Sequence, residues 1–207
     1  MGMKVAETGG NFKQIESGMY IGICYKLIDL GTQHGEYQGT PNTRRQVLIS
    51  WEFPSELIEE GEYKDQPYSL SKFYTASLNE KANLRKDLES WRGKAFSADE
   101  LRGFDLDDIL GKACMINVIT NDKGKQVIAS ITPLVKGAQA PTGINPQFTF
   151  SFADWSDDKF NNLTDGIKKI VMESDEYKNI MQVDSVMSEN YAPDDAPPHD
   201  DDDAIPF

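Results

Sequence analysis

Between residues 44 and 53 the chain alternates strictly. Arg45, Val47, Ile49, Trp51 and Phe53 fall on one face of an extended strand, and Arg44, Gln46, Leu48, Ser50 and Glu52 fall on the other. A period of two with one mainly apolar face suits a half-buried β-strand. The flanking text is of the same kind. Residues 19–30 are rich in β-branched and aromatic side chains between Gly18 and Gly31, and residues 68–77 read as a third strand. Residues 112–120 and 125–134 read as a fourth and fifth, joined by the tight turn Asn121-Asp-Lys-Gly124. Residues 31–43 hold three glycines and read as a long loop, and Pro54 as the end of the second strand.

Helical signals interrupt this pattern only between the third and fourth strands. Ser77-Leu-Asn-Glu80 has capping-box spacing, in which a hydroxyl and a carboxylate satisfy each other's orphan backbone N–H groups. Leu84, Leu88 and Trp91 follow as one apolar stripe, with Gly93 at the C-cap position. A second box, Ser97-Ala-Asp-Glu100, opens a short helix that Gly103 closes. The expected fold class is therefore mainly β with α additions. Five short strands with a helix between strands 3 and 4 is the layout of an OB-fold barrel, which often binds single strands; SH3-like and other small barrels share the pattern.

Around this barrel, at residues 18–135, the chain divides by composition. Residues 1–17 are polar and glycine-containing and read as a flexible N-terminal arm. Residues 136–183 read as a linker (Gly137, Pro141, Gly143, Pro146) and short C-terminal helices, with Phe160, Leu163, Ile167, Ile170 and Val171 as apolar contacts. Residues 184–207 combine low hydrophobicity, high charge and prolines, the composition of a disordered acidic tail.

The formal net charge of −13 argues against a polyanionic ligand until its distribution is considered. Residues 184–207 carry eight acids and no Lys or Arg, whereas residues 1–183 hold 21 basic and 26 acidic residues, a net of −5. A nearly balanced body has the cations to present one basic face.

Several classes are excluded on chemistry. Cys24 and Cys114 stand in separate apolar runs and read as buried reduced thiols; no Cys-x-x-Cys pair exists, and His34 and His199 lie near neither, so zinc is not expected. Asp105, Asp107 and Asp108 precede Ile109-Leu110, where acids favour a helix start, and read as structure and not as metal ligands. There is no phosphate-binding glycine loop and no nucleophile elbow. An enzyme is not supported and no cofactor is implied. No apolar run reaches the roughly 20 residues that span a bilayer, and no segment of signal-peptide length opens the chain, so a cytoplasmic location without membrane attachment is expected.

The C-terminus is the most specific feature. Asp200, Asp201, Asp202 and Asp203 precede Ala204 and the terminal Ile205, Pro206 and Phe207. An apolar terminal group on a solvated tail buries nothing in its own chain. It suits a pocket on another protein, where Phe fills an apolar cleft and a basic rim attracts the aspartates. A second constellation lies on the strands. Gripping an unpaired strand without reading its sequence needs cations for phosphates and flat rings for bases. Tyr20 and Lys26 supply these on the first strand, Arg44, Arg45 and Trp51 on the second, and Lys72, Phe73 and Tyr74 on the third. Arg92 and Lys94 follow at the helix end, and Lys123 and Lys125 flank the last hairpin. Tyr25 groups with Ile21 and Ile23 and reads as buried. Of Phe73 and Tyr74, one faces the core and the other faces out.

The acidic ending resembles the tip of bacterial single-stranded-DNA-binding proteins, in which aspartates precede a terminal Ile-Pro-Phe; here Ala204 intervenes. Ser71-Lys-Phe-Tyr-Thr-Ala-Ser-Leu78, residues 84–93 and residues 104–111 are similar to phage-encoded single-stranded-DNA-binding proteins with one OB-fold, over roughly residues 18–182. The resemblance implies sequence-independent binding and protection of single-stranded DNA in phage replication, recombination or repair. It also implies recruitment of replication or recombination proteins by the tail, in the cytoplasm of the infected host. Two alternatives stay open: a recombination mediator that anneals strands, and an interaction module that mimics a host docking peptide without binding DNA. Homo-oligomerisation is left open.

Overall fold

From Gly18 the chain enters a 20-residue strand, β1 (Gly18–Tyr37), and returns as β2 (Thr40–Leu57) in one long antiparallel hairpin. The computed structural model that shows this describes residues 14–37 and 39–189. Residues 31–43, expected as a loop, are instead the outer half of the hairpin, paired from Gly31↔Gln46 to Tyr37↔Thr40. The glycines read as loop signals have other work. Gly31 has φ 71°, in the left-handed region, and sits at a register shift where β1 bulges. Pro54 does not end β2; an irregularity between Phe53 and Leu57 absorbs it and the strand resumes.

β3 (Pro67–Thr75) pairs with β2, β4 (Ala113–Thr120) with the first part of β1, and β5 (Gln126–Thr132) with β4. The order across the sheet is β3-β2-β1-β4-β5. A three-residue strand, β6 (Phe148–Phe150), lies parallel to β1 at Lys26–Ile28, taking the edge that β4 leaves at Ile23. The sheet is therefore six-stranded, and no ladder among the described residues joins β3 to β5.

Between β3 and β4 come α1 (Asn83–Arg92), α2 (Ala98–Arg102) and a 3-10 turn (Leu106–Ile109). The stripe Leu84, Leu88, Trp91 is the buried face of α1, and Gly93 closes the helix at φ 66°. The box at Ser97 and Glu100 forms with both of its hydrogen bonds. The one at Ser77 and Glu80 does not. Ala76 N–H still donates to Arg45 O at 2.8 Å, which holds the chain to the sheet. The Ser77 hydroxyl accepts from Asn79 N–H, and α1 starts only after Ala82, without a side-chain cap.

Two apolar clusters lie on opposite faces of the sheet. The inner one packs Val47, Ile49, Trp51 and Phe53 of β2 against Leu84, Leu88 and Trp91 of α1 and against Ile116, Val118 and Ile131 of β4 and β5. Each large side chain so buried contributes about 1.5–3 kcal/mol. The outer cluster sets Ile28, Leu30 and Leu48 against Phe150, Leu163 and Val171. Those partners come from β6, α3 (Asp157–Asn161), α4 (Asp165–Met172) and their connections, with Tyr177 added by α5 (Asp175–Glu189). β2 is therefore buried on both faces from Val47 to Phe53, not half-buried.

The flanking segments also depart from expectation. Ile15, in the arm, is 5% exposed, and Gln14 accepts from Gln126 N–H at 3.0 Å. α5 runs to Glu189, into the segment read as tail. The rest of the arm (1–13) and of the tail (190–207), with the docking residues Asp200, Asp201, Asp202, Asp203, Ile205, Pro206 and Phe207, lies outside the described residues. No described helix is long and apolar enough to cross a membrane.

Candidate functional site

A bulge in β1 decides which side chains reach the outer face. The register with β2 slips between Cys24 and Lys26, so alternation breaks there. Before the bulge even-numbered residues face the inner cluster (Tyr20, Cys24); after it Leu27 does, and Ile28 and Leu30 face out. Tyr20 and Lys26, which share parity on paper, consequently lie on opposite faces of the sheet.

Beyond the bulge, strand pairing lays residues in rows across the outer face. One row runs Phe148, Lys26, Ser50, Ser71 through β6, β1, β2 and β3. The next runs Phe150, Ile28, Leu48, Phe73. All of these but the buried Phe150 floor an open cleft of about 590 Å³, which Asn145, Pro146, Asn162, Thr164 and Ile167 of the C-terminal segment also line. Ser50 and Ser71 hydrogen-bond each other at 2.7 Å on this floor. Gln66, also in the lining, is shared with a larger hollow of about 830 Å³ that Tyr68, Ser69, Lys125 and Gln126 line.

Three groups in the cleft suit a ligand that is both anionic and aromatic. Phe73 is 52% exposed. Tyr25 is half-buried, with the Lys26 ammonium 5.3 Å from its ring centroid. Lys26 itself is half-buried and has no ion pair among the described residues. Burial pushes its ammonium below the ordinary lysine value. A cation beside the Tyr25 ring, in a cleft that also exposes Phe73, has the chemistry to hold an anion and a flat ring together.

Of the residues expected at the site, Lys26 and Phe73 meet in this cleft, and Lys125 stands in the adjoining hollow. Lys123 is exposed on the same β4–β5 hairpin, and Arg44 is exposed on the outer hairpin; neither forms an ion pair among the described residues. The others are engaged elsewhere. Trp51 is 1% exposed and packs on Trp91 with ring centroids 5.8 Å apart, so it offers no face to a base. Tyr74 is 3% exposed, and its hydroxyl donates to Asp87 at 2.7 Å. Burial, with the Asp87 carboxylate, raises that phenol. Tyr20 packs on Phe53 at 5.6 Å and donates to Glu16 O at 2.9 Å.

Three expected cations are already neutralised. Arg45 bonds Asp29 through two nitrogens at 2.5 and 3.2 Å, with Glu176 at 3.9 Å. Lys72 bonds Asp87 at 2.6 Å. Arg92 bonds Glu100 and lies over Phe96 and Phe104, at 4.4 and 5.2 Å from their ring centroids. Lys94 is exposed, with the same Glu100 carboxylate 3.8 Å away. Ion pairing removes these charges from the account because a phosphate must displace a partner already held.

The residues that sequence reasoning missed are Tyr25, Gln66, Asn145, Phe148, Asn162 and Thr164. Tyr25 was hidden by the bulge. Gln66 and the residues of 145–164 carry no local signal, since only tertiary packing brings them to the cleft. Asp105, Asp107 and Asp108 form a capped turn, Asp105 accepting from Asp107 N–H at 2.9 Å. Cys24 and Cys114 are free and buried, and burial pushes the Cys24 thiol up to about 12. No group of three or more metal-ligating side chains gathers among the described residues.

No protein-family model matches the chain, and no curated protein matches it.

Proposed function

We propose that this chain is a non-catalytic protein that binds and protects single-stranded DNA without reading its sequence, in replication, recombination or repair. In this proposal its acidic C-terminal tail recruits partner proteins that offer an apolar pocket with a basic rim. The observation that carries the proposal is the half-buried Lys26, unpaired among the described residues, between the Tyr25 ring and a cleft edged by exposed Phe73. The strand order β3-β2-β1-β4-β5, with α1 between β3 and β4 in the chain, supports an OB-type barrel. In that architecture single strands are taken by the face of the second and third strands and by the loop joining the last two. Ser50, Ser71 and Phe73 lie on that face, and Lys123 and Lys125 at that loop.

The test is a titration of labelled oligo-dT with the full chain across a salt series, read by fluorescence anisotropy. Binding is expected at low salt. If Lys26, Arg44, Lys123 and Lys125 each neutralise one phosphate, the slope of log affinity against log salt should be about −3, at about −0.7 per phosphate on a single strand. No shift of the oligonucleotide at low salt overturns the proposal.

A further inference from the structure

Residues 143–150 have no helix and belong to a segment with the composition of a linker, yet they are held to the sheet by a buried carboxylate and by β6. Glu52 of β2 is fully buried, and its carboxylate accepts from Ile144 N–H at 2.9 Å, Asn145 N–H at 2.8 Å and Asn145 Nδ2 at 2.7 Å. It forms no ion pair among the described residues. At Gly143 a Cβ would stand 2.8 Å from Glu52 Oε1, so a side chain there would have to displace the carboxylate. At Gly111 a Cβ would stand 2.5 Å from Gln147 Nε2. β6 completes the hold by pairing with Lys26–Ile28.

A buried carboxylate is a costly way to cover a sheet, since an apolar side chain would do it without desolvating a charge. What it supplies is position: three N–H donors converge on one group, and Asn145 is oriented through both its backbone and its amide. Asn145 Oδ1 and the Asn162 side-chain amide make no hydrogen bond among the described residues, and both residues line the cleft opposite Phe73 and Lys26.

We propose that the C-terminal extension is the second wall of the strand-binding cleft, with Asn145, Phe148, Asn162 and Thr164 contacting the nucleic acid, and that Glu52 is the positioning residue that fixes this wall. The inference rests on the single-strand binding proposed above. It makes the extension part of the ligand site and not a spacer between barrel and tail.

Thr164→Asp tests the wall without endangering the fold. Thr164 is the N-cap of α4 and makes no side-chain cap bond, a position where Asp is at least as favourable. A new charge facing the bound phosphates should weaken oligo-dT binding by the full chain roughly fivefold at low salt. Ala140→Asp, exposed and outside the cleft lining, should leave it unchanged. Ultraviolet crosslinking of a 5-iodouracil oligonucleotide should mark peptides from both walls, around Phe73 and around Phe148. Wild-type binding that is insensitive to Thr164→Asp, with crosslinks on the sheet side alone, overturns the second wall and leaves the single-strand proposal standing. Absence of wild-type binding overturns both. For Glu52→Gln the crosslinks around Phe148 should fall while those around Phe73 persist; equal loss of both marks Glu52 as a general structural residue and overturns its positioning role.

Discussion

On β3, Phe73 is 52% exposed over the cleft, while Tyr74, one residue on, is 3% exposed and donates to Asp87. The pair separates binding from stability as cleanly as single substitutions allow. On the proposed strand-binding role, Phe73→Ala removes a ring that would stack on a base, worth about 1–3 kcal/mol, and little buried area, so oligo-dT affinity should fall roughly tenfold with the thermal midpoint unchanged. Tyr74→Phe removes one neutral donor from a carboxylate that Lys72 still contacts, so about 1 kcal/mol of stability should be lost with affinity unchanged. Calorimetry and anisotropy on both variants check the assignment, and the reverse pattern would place the ligand on the other face of β3. The sequence divides these two side chains between faces by parity but does not say which face is covered. That depends on α1, whose Asp87 meets Tyr74, and on an extension that arrives more than 70 residues later.

At the scale of elements, α5 is held to the hairpin by hydrogen bonds that depend on ionisation. Glu176 accepts from Thr32 N–H at 2.6 Å and from the Thr32 hydroxyl at 2.7 Å, with Arg45 3.9 Å away; Asp175 beside it pairs with His34 at 2.8 Å. Burial tends to raise the Glu176 carboxyl, but the Thr32 hydrogen bonds outweigh it and hold the group below its ordinary value of 4.5. A depressed carboxyl stabilises the docked helix fully above its ordinary value and loses that contribution as pH falls through the folded value. Protection of amides 176–182, measured against the intrinsic exchange rate at each pH, should therefore fall below about pH 4.5, ahead of protection in β4, and Glu176→Gln should remove that acid-dependent step. Protection that is constant through this range would show that Glu176 does not hold the helix. Gly31 belongs to the same junction. A Cβ there would stand 2.6 Å from both Glu176 Oε2 and Ser174 Cβ, so this glycine, which reads as a loop signal, is where α5 closes on a strand. Local rules found the elements whose partners are near in sequence: the α1 stripe, the cap at Gly93, the box at Ser97. They missed the bulge at Tyr25, the paired outer hairpin and the second burial of β2, because each is set by contacts between segments that no local pattern encodes.

Across the whole molecule the question is where the negative charge sits relative to the cleft. Residues 190–207 carry six carboxylates and no Lys or Arg, so ending the chain at Glu189 takes the formal net charge from −13 to −7 and leaves α5 at full length. If the cleft binds single strands as proposed, a tethered polyanion would compete with DNA for Lys26 and the hairpin lysines at high local concentration, through electrostatics. The shortened chain should then bind oligo-dT more tightly at low salt. The gain should shrink as the screening length falls from about 30 Å at 0.01 M to about 8 Å at 0.15 M. Equal or weaker binding at low salt would rule the competition out. Removing Phe207 alone separates this effect from the proposed docking, because it takes away the residue proposed as apolar anchor and keeps all six carboxylates. DNA affinity should then match the full chain at every salt, while capture of a partner by the tail is lost. A tail that served only to repel DNA would show the first result without the second, since charge acts at a distance and an anchor acts only in contact.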